Sequence, residues 1–153
     1  MTAVTALDGA HAVRAAVGTH LGYSDWIMVT QEQINLFAEA TGDHQWIHVD
    51  VAEATAGPFG APIAHGYLTL SLSNLFLPQI VEVRGASLGV NYGVDKVRFP
   101  APVPVGSRLR GGAALVEATD VKDWLQTMIR ITIEREGGTK PVCIIDSISR
   151  WRF

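Results

Sequence analysis

Residues 64–77 read AHGYLTLSLSNLFL, and this stretch decides the predicted fold. Its apolar side chains fall on nearly every face of a helix: Tyr67, Leu68, Leu70, Leu72, Leu75 and Phe76. A helix that is apolar on all sides is buried, whereas a surface helix carries one apolar stripe. We therefore predict a long central helix over about 64–77 that the rest of the chain encloses.

The sequence after Pro78 changes to a period of two, which is typical of β-strands. The predicted strands are Ala86–Phe99, Arg108–Ala118, Trp124–Glu134 and Val142–Phe153. In the third of them apolar residues alternate with polar ones, as in an antiparallel strand that buries one face. Short connections, two of them rich in proline or glycine, separate the strands and suit hairpins.

The region before the central helix supplies further elements. Residues 8–18 predict a short helix, and Leu21–Val29 predicts a first strand. Thr30 with Gln33 is typical of a helix N-terminus, and Gly42 of a helix C-terminus. The fold class predicted from these elements is α+β, with an antiparallel sheet of about five strands curved around the long helix.

Composition narrows the class of protein. The 153 residues are expected to form one domain over 1–153, which is the usual length for a single core. A formal charge of −3 argues against nucleic acid as a partner, because such binding needs a basic patch. The single cysteine, Cys143, excludes an internal disulfide.

The mean hydropathy of +0.20 indicates more apolar residues than the core of one small soluble domain needs. The most apolar window, residues 61–83, is interrupted by too many polar residues to span a membrane. We therefore expect a soluble, cytoplasmic protein that places its surplus apolar surface in a subunit interface or a ligand tunnel.

Residues 43–63 lack a clear period, and long irregular segments inside compact domains are often functional. They carry His44 and His48, with Asp43 beside them and His65 just beyond. Three interpretations stay open from these residues: polar groups scattered on a loop, a metal site built on His44 and His48, or an Asp43/His48 acid–base pair. Metal binding by two histidines four apart requires a helix, and Gly42 argues against one here.

Two separated segments resemble the R-specific enoyl-CoA hydratases, the MaoC-like dehydratases of the hot-dog fold. The first is TGDHQWIH, residues 41–48, and the second is APIAHG, residues 61–66. The family pattern has Gly-Asp, any residue, Asn-Pro, an aliphatic residue and His, and later an Ile-Ala-His-Gly segment that opens the central helix. Gln45 and Trp46 depart from it at the Asn and Pro positions, which bears on the choice of substrate more than on the reaction.

The resemblance implies an enzyme that reversibly adds water across the 2,3 double bond of a trans-2-enoyl-CoA to give (R)-3-hydroxyacyl-CoA. It implies that Asp43 accepts the proton of the attacking water, and that His48 orients this water and shares the proton transfers. The backbone N–H of Gly66 is expected to bind the thioester oxygen. No cofactor or metal is implied, since coenzyme A is part of the substrate.

Six further residues are candidate substrate contacts under this resemblance. They are Gln45, Trp46, His65, Tyr67, Asn74 and Arg98. For His65 a structural role competes, in which the side chain braces the loop beside the helix start. Arg98 alternates onto one strand face with Lys96, where both could meet the phosphates of coenzyme A or simply form a solvated face.

Other functions stay open at this point. A hot-dog thioesterase would use the same acyl-CoA but would release a free thiol. A non-catalytic acyl-binding subunit of a heteromeric dehydratase should lack the acid–base pair, which this chain retains. Because hot-dog folds usually pair, we expect a homodimer with the active sites between protomers.

Overall fold

The computed structural model describes residues 3–153, which form six helices and eight strands. The helices are α1 Gly9–Ala15, α2 Gln31–Thr41, α3 Trp46–Val49, α4 Val51–Ala56, α5 Gly66–Ser71 and α6 Ser73–Ile80. The strands are β1 Thr5–Asp8, β2 His20–Tyr23, β3 Ile27–Met28, β4 Val81–Arg84, β5 Leu88–Arg98, β6 Arg108–Val121, β7 Trp124–Arg135 and β8 Cys143–Arg152. No helix within this range is both long and apolar enough to cross a membrane.

The main sheet has six strands in the order β2-β6-β7-β8-β5, with β3 also paired to β6. Every pair in it is antiparallel, as predicted. The predicted first strand, Leu21–Val29, is interrupted between β2 and β3. There Ser24 exchanges bonds with β6, because its N–H donates to Gly111 O at 2.9 Å and its hydroxyl accepts from Gly111 N at 2.9 Å.

The central helix is interrupted and less buried than predicted. It begins at Gly66, breaks at Leu72 and continues to Ile80, so Pro78 lies inside α6. Proline lacks the N–H that would bond the carbonyl four residues earlier, and its ring crowds that carbonyl, so the turn just after the break is weakened. The prediction of apolar contact on every face was wrong, since Tyr67 is 70% exposed and Leu75 46% exposed.

The core lies between this broken helix and the concave face of the sheet. Phe76 on α6 is fully buried, and a Cβ on Gly111 of β6 would lie 2.9 Å from the Phe76 Cβ. Glycine at this position therefore lets the helix approach the sheet. The alternation predicted for β7 is confirmed, because its inward side chains are all buried: Leu125, Thr127, Ile129, Ile131 and Ile133.

Two strands were not predicted, β1 and β4, which form a separate parallel pair. Each has only four residues, too few to show a period of two. The segment 43–63, which showed no period, contains the two short helices α3 and α4. Asp50 begins α4, and its Oδ1 accepts from Glu53 N at 2.9 Å.

Candidate active site

Helix α2 ends directly before the candidate site, and both of its predicted ends are confirmed. Thr30 Oγ1 accepts from Gln33 N at 3.2 Å, and Gly42 ends the helix at φ 80°, a left-handed conformation that glycine adopts without strain. The chain then turns sharply, and Asp43 Oδ1 accepts from Gln45 N at 3.3 Å. The Asp43 carboxylate is therefore presented on an exposed turn directly after a rigid helix.

His48 lies on α3 and is buried, with 6% of its surface exposed. Its Nδ1 lies 2.7 Å from Ile63 O, and a carbonyl only accepts, so Nδ1 carries the hydrogen and Nε2 keeps a lone pair. Gln31 Nε2 on α2 donates to the His48 carbonyl at 2.8 Å and holds the backbone in place. Burial, with a smaller contribution from neighbouring His65, lowers the pKa of His48, so the imidazole is neutral at pH 7.

His65, the residue before α5, is 2% exposed and contacts both Asp43 and His48. Its Nε2 donates to the backbone carbonyl of Asp43 at 2.9 Å, and its ring stacks on His48 with centroids 3.9 Å apart. The Phe37 ring lies 4.9 Å from it. The Nδ1 atom of His65 is buried and has no hydrogen-bond partner among the described residues.

One ligand-type atom each from Asp43, His48 and His65 lies within 4.8 Å of the others. This brings the predicted pair Asp43 and His48 within reach of a common water molecule. The alternative metal pair is not formed, because α3 begins at Trp46 and His44 instead points to Glu39 at 3.7 Å. A carboxylate next to a neutral imidazole can accept a proton and pass it on.

A cavity of about 330 Å³ opens beside His48 and is lined largely by apolar side chains. Gly66 lines it too, and no side chain caps the first turn of α5, so the Gly66 N–H is available to a ligand. A Cβ on Gly66 would lie 3.0 Å from the ring of Phe99, another lining residue. Glycine is needed here because the ring already fills the space of a side chain.

The remaining predicted contacts are spread around this site. Gln45 is exposed on the Asp43 turn, and Trp46 packs against Gly57 beyond α4. Tyr67 is exposed and meets the Phe99 ring edge-on at 6.4 Å between centroids. None of these three is among the residues that line the cavity.

Asn74 and Arg98 lie apart from the cavity. Asn74 lines a second depression between the central helix and β5, together with Ser71 and Ser73. Arg98 is exposed and its Nη1 donates to Val97 O at 2.7 Å. The predicted shared face of Lys96 and Arg98 was wrong, because a bulge with Lys96 at φ 50° breaks the alternation of β5 there.

Sequence reasoning missed Gln31, Phe59 and Phe99. Gln31 bonds to His48 across 17 positions, a contact that no local pattern indicates. The sequence indicates Phe99 only as the end of a strand. A signal for Phe59 existed in its position between Gly57-Pro58 and Gly60, since a large aromatic in such a turn has no local reason to be there.

Together, the curved antiparallel sheet and the helix it holds define a hot-dog protein, and its cavity lies beside two buried histidines and an exposed aspartate. Residues 12–136 match the family described as MaoC like domain. The chain belongs to this family of MaoC-like dehydratases.

Relatives and solved structures agree with this assignment. The chain is 53% identical over 138 residues to the 3-hydroxyacyl-thioester dehydratase Z of Mycobacterium tuberculosis (strain H37Rv), covering 90% of this chain and 91% of that protein. It is 42% identical over 144 residues to Nodulation protein N of Rhizobium meliloti, covering 92% and 89%. The structure of R-hydratase PhaJ1 from Pseudomonas aeruginosa, unliganded, has the same fold, with a TM-score of 0.70, 24% identity and coverage of 89% and 81%.

Proposed function

We propose that the protein is an R-specific enoyl-CoA hydratase, which also runs in reverse as a 3-hydroxyacyl-CoA dehydratase. The observation that carries this proposal is the placement of Asp43 and His48 within 4.8 Å of each other, with His48 opening onto a cavity that Gly66 also lines. The relative named as a 3-hydroxyacyl-thioester dehydratase supports the same chemistry.

The proposed reaction begins with water held between the Asp43 carboxylate and His48 Nε2. As the water oxygen bonds to C3, its proton passes to this pair, and the electrons of the double bond move onto the thioester as an enolate. The neutral His48 imidazole accepts a hydrogen bond at Nε2 because its Nδ1–H is occupied by Ile63 O. Protonation of C2 then completes the addition and restores the pair.

The enolate oxygen needs a hydrogen-bond donor while it carries charge. The Gly66 N–H is a candidate because it stands in the first turn of α5. Gly66 also lines the cavity and has no side chain that would keep a ligand from its backbone. A donor aimed at developing charge in a water-poor cavity lowers the barrier more than it lowers the ground state. No cofactor takes part in the proposed step, since coenzyme A is carried by the substrate.

The first runner-up is a hot-dog acyl-CoA thioesterase, which would use the same cavity. Thioester hydrolysis does not require a proton to be delivered to C2, so the paired Asp43 and His48 favour the hydratase. The second is a non-catalytic acyl-binding subunit of a heteromeric dehydratase. It is disfavoured because both members of the pair are present and close.

The test is to incubate the purified protein with trans-2-butenoyl-CoA and to follow three quantities in one sample: loss of enoyl absorbance, free thiol, and the chirality of the product. The proposal predicts loss of the enoyl group, no thiol and (R)-3-hydroxybutyryl-CoA. Stoichiometric thiol would establish the thioesterase, and no reaction would favour the binding subunit. A stoichiometric bound metal in the same preparation would point instead to a metal-dependent enzyme.

The proposed assembly is a cytoplasmic homodimer whose protomers are each one domain over residues 1–153. Strand β5 supports a partner copy, because within the described residues it bonds only β8 and exposes Leu88, Val90, Tyr92 and Val94. An exposed apolar edge strand is usually covered. Size-exclusion chromatography with light scattering should give twice the chain mass, and a stable monomer would contradict the dimer.

A further inference from the structure

His65 contacts both groups that the proposed reaction uses. Its Nε2–H bonds the Asp43 carbonyl at 2.9 Å, and its ring lies 3.9 Å from that of His48 at 25°. With 2% of its surface exposed, it is less accessible than His48 and does not line the cavity. A buried polar side chain of this kind acts through its neighbours rather than on the substrate.

The hydrogen bonds fix which tautomer each ring adopts when it is neutral. Because the Asp43 carbonyl accepts from Nε2, neutral His65 has its lone pair on Nδ1, which is buried without a partner in the described chain. The titratable groups that act on His48 are His65 and Asp43. Two charged imidazoles stacked at 3.9 Å would repel in a poorly solvated place, so a charge on one ring opposes a charge on the other.

An unpartnered buried nitrogen lowers stability, and an apolar aromatic at the same place would avoid this cost. Phe37 shows that aromatic packing suits this position, since its ring already lies 4.9 Å from His65. Packing therefore does not explain a histidine here. The hydrogen bond from Nε2–H to the backbone carbonyl of Asp43 explains why a histidine stands at this position.

We propose that His65 is a positioning residue, which fixes the Asp43 turn through its Nε2–H bond and fixes the plane of the His48 ring by stacking on it. In this role His65 acts on Asp43 and His48, as in the bracing role considered from the sequence, and not as a substrate contact. Its kinetic consequence rests on the proposed hydratase function, whereas its effect on His48 does not.

Two substitutions separate the two contacts. His65→Phe keeps an aromatic ring against His48 but loses the donor to Asp43, and His65→Gln keeps an N–H donor but loses the ring. The matched control is His44→Phe, because His44 is half exposed, adjacent to Asp43 in sequence and paired only with Glu39 in the contacts described. Circular dichroism and the melting temperature establish that each variant is folded.

The expected kinetic result is a fall in kcat of about 10- to 100-fold in both His65 variants with KM little changed, because a misplaced acid–base group slows the reaction without weakening binding. A proton NMR titration of His48 should show its pKa rising in both variants, since His65 helps to lower it. The acid limb of kcat should move to higher pH with it. His44→Phe should leave all three quantities unchanged.

Either of two results overturns the inference: a kcat within about twofold of the unaltered protein in both His65 variants, or an unmoved His48 titration in both. The titration uses protein without substrate, so it tests His65 even if enoyl-CoA hydration fails. A fall in kcat with no change in the titration would show that His65 supports the fold and nothing more. Should His65→Phe fail to fold, His65→Gln gives both measurements.

Discussion

The main sheet and the loop that follows α2 both bury groups that can ionise, but the two regions differ in how far these groups are paired with an opposite charge. On the sheet, the carboxylate of Asp146 is 1% exposed and accepts two bonds from Arg130, at 2.8 and 2.9 Å. In the loop region, His48 and His65 are buried without a salt bridge among the described residues, and the carboxylate near them, that of Asp43, is exposed. The two buried side-chain atoms without partners in the described chain, Gln31 Oε1 and His65 Nδ1, also lie here.

This difference distinguishes buried polar groups that stabilise the fold from buried polar groups that serve the proposed reaction. A buried carboxylate with a bidentate guanidinium has both oxygens hydrogen-bonded and its charge neutralised, so the pair is fixed in the fold. Incompletely satisfied buried groups lower stability, and at the cavity His48 keeps the lone pair of Nε2 free for a ligand. Changes at Asp146 should therefore affect folding, and changes at His48 should affect turnover.

The largest expected effect is that of His48→Gln. Loss of the imidazole removes one acid–base group, which is worth about 10²–10⁴-fold in kcat. The melting temperature should stay close to that of the unaltered protein, since the amide can still donate to Ile63 O. His44→Gln is the control and should retain full turnover in the same enoyl-CoA assay; equal losses in both variants would remove the distinction between the two histidines.

The pH dependence of turnover should follow the neutral form of His48. Because its pKa is lowered from 6.5, kcat/KM should be level at neutral pH and should fall about tenfold per pH unit only below that lowered value. The free energy of unfolding should also decline as pH drops below 6.5, since the unfolded chain then binds a proton that the folded chain resists. An acid limb of kcat/KM centred above 6.5 would contradict this.

Arg130→Met should affect the sheet and spare the reaction. It leaves the Asp146 carboxylate buried and unpaired, so the melting temperature should fall by about 5 °C or more while kcat changes little. Arg130 lowers the pKa of Asp146, and the stability this gives the unaltered protein should be lost as pH falls below 3.8. The control is Arg108→Met, because the Arg108–Glu136 pair is exposed and worth little.

The smallest effect concerns substrate size. Phe99→Ala should enlarge the cavity beside Gly66 and raise kcat/KM for longer enoyl chains by about tenfold relative to the four-carbon substrate. Phe153→Ala removes a phenyl ring of nearly equal exposure at another surface and should leave the chain-length profile unchanged. The same profile for both variants would mean that Phe99 does not limit the cavity.

The two regions also differ in how far sequence predicts them. Strands β5–β8 were predicted to within a few residues, because their period of two is visible locally; for β7 the predicted Trp124–Glu134 compares with Trp124–Arg135. The single helix over 64–77 was not, since the helix breaks at Leu72 and continues through Pro78 to Ile80. The period of the apolar residues and the positions of turn-forming residues therefore predict regular helices and strands but not the distortions within them.

At the site, the motif segments indicated Asp43, His48 and Gly66, and the structure brings Asp43 and His48 together and places Gly66 on the cavity. The stacking of His65 on His48 and the packing of Phe99 on Gly66 join residues 17 and 33 positions apart. Such contacts arise from the tertiary fold, and no local pattern carries them. The absence of Asn74 and Arg98 from the cavity lining was hidden for the same reason.

The most direct test of the Asp43/His48 chemistry is a single-turnover measurement with Asp43→Asn, in which excess folded protein is mixed with trans-2-butenoyl-CoA. Asparagine keeps the size and the acceptor oxygen for Gln45 N but cannot take a proton. The account predicts unchanged substrate binding and a hydration rate lower by about 10²–10⁴-fold. A rate within threefold of the unaltered protein would contradict it.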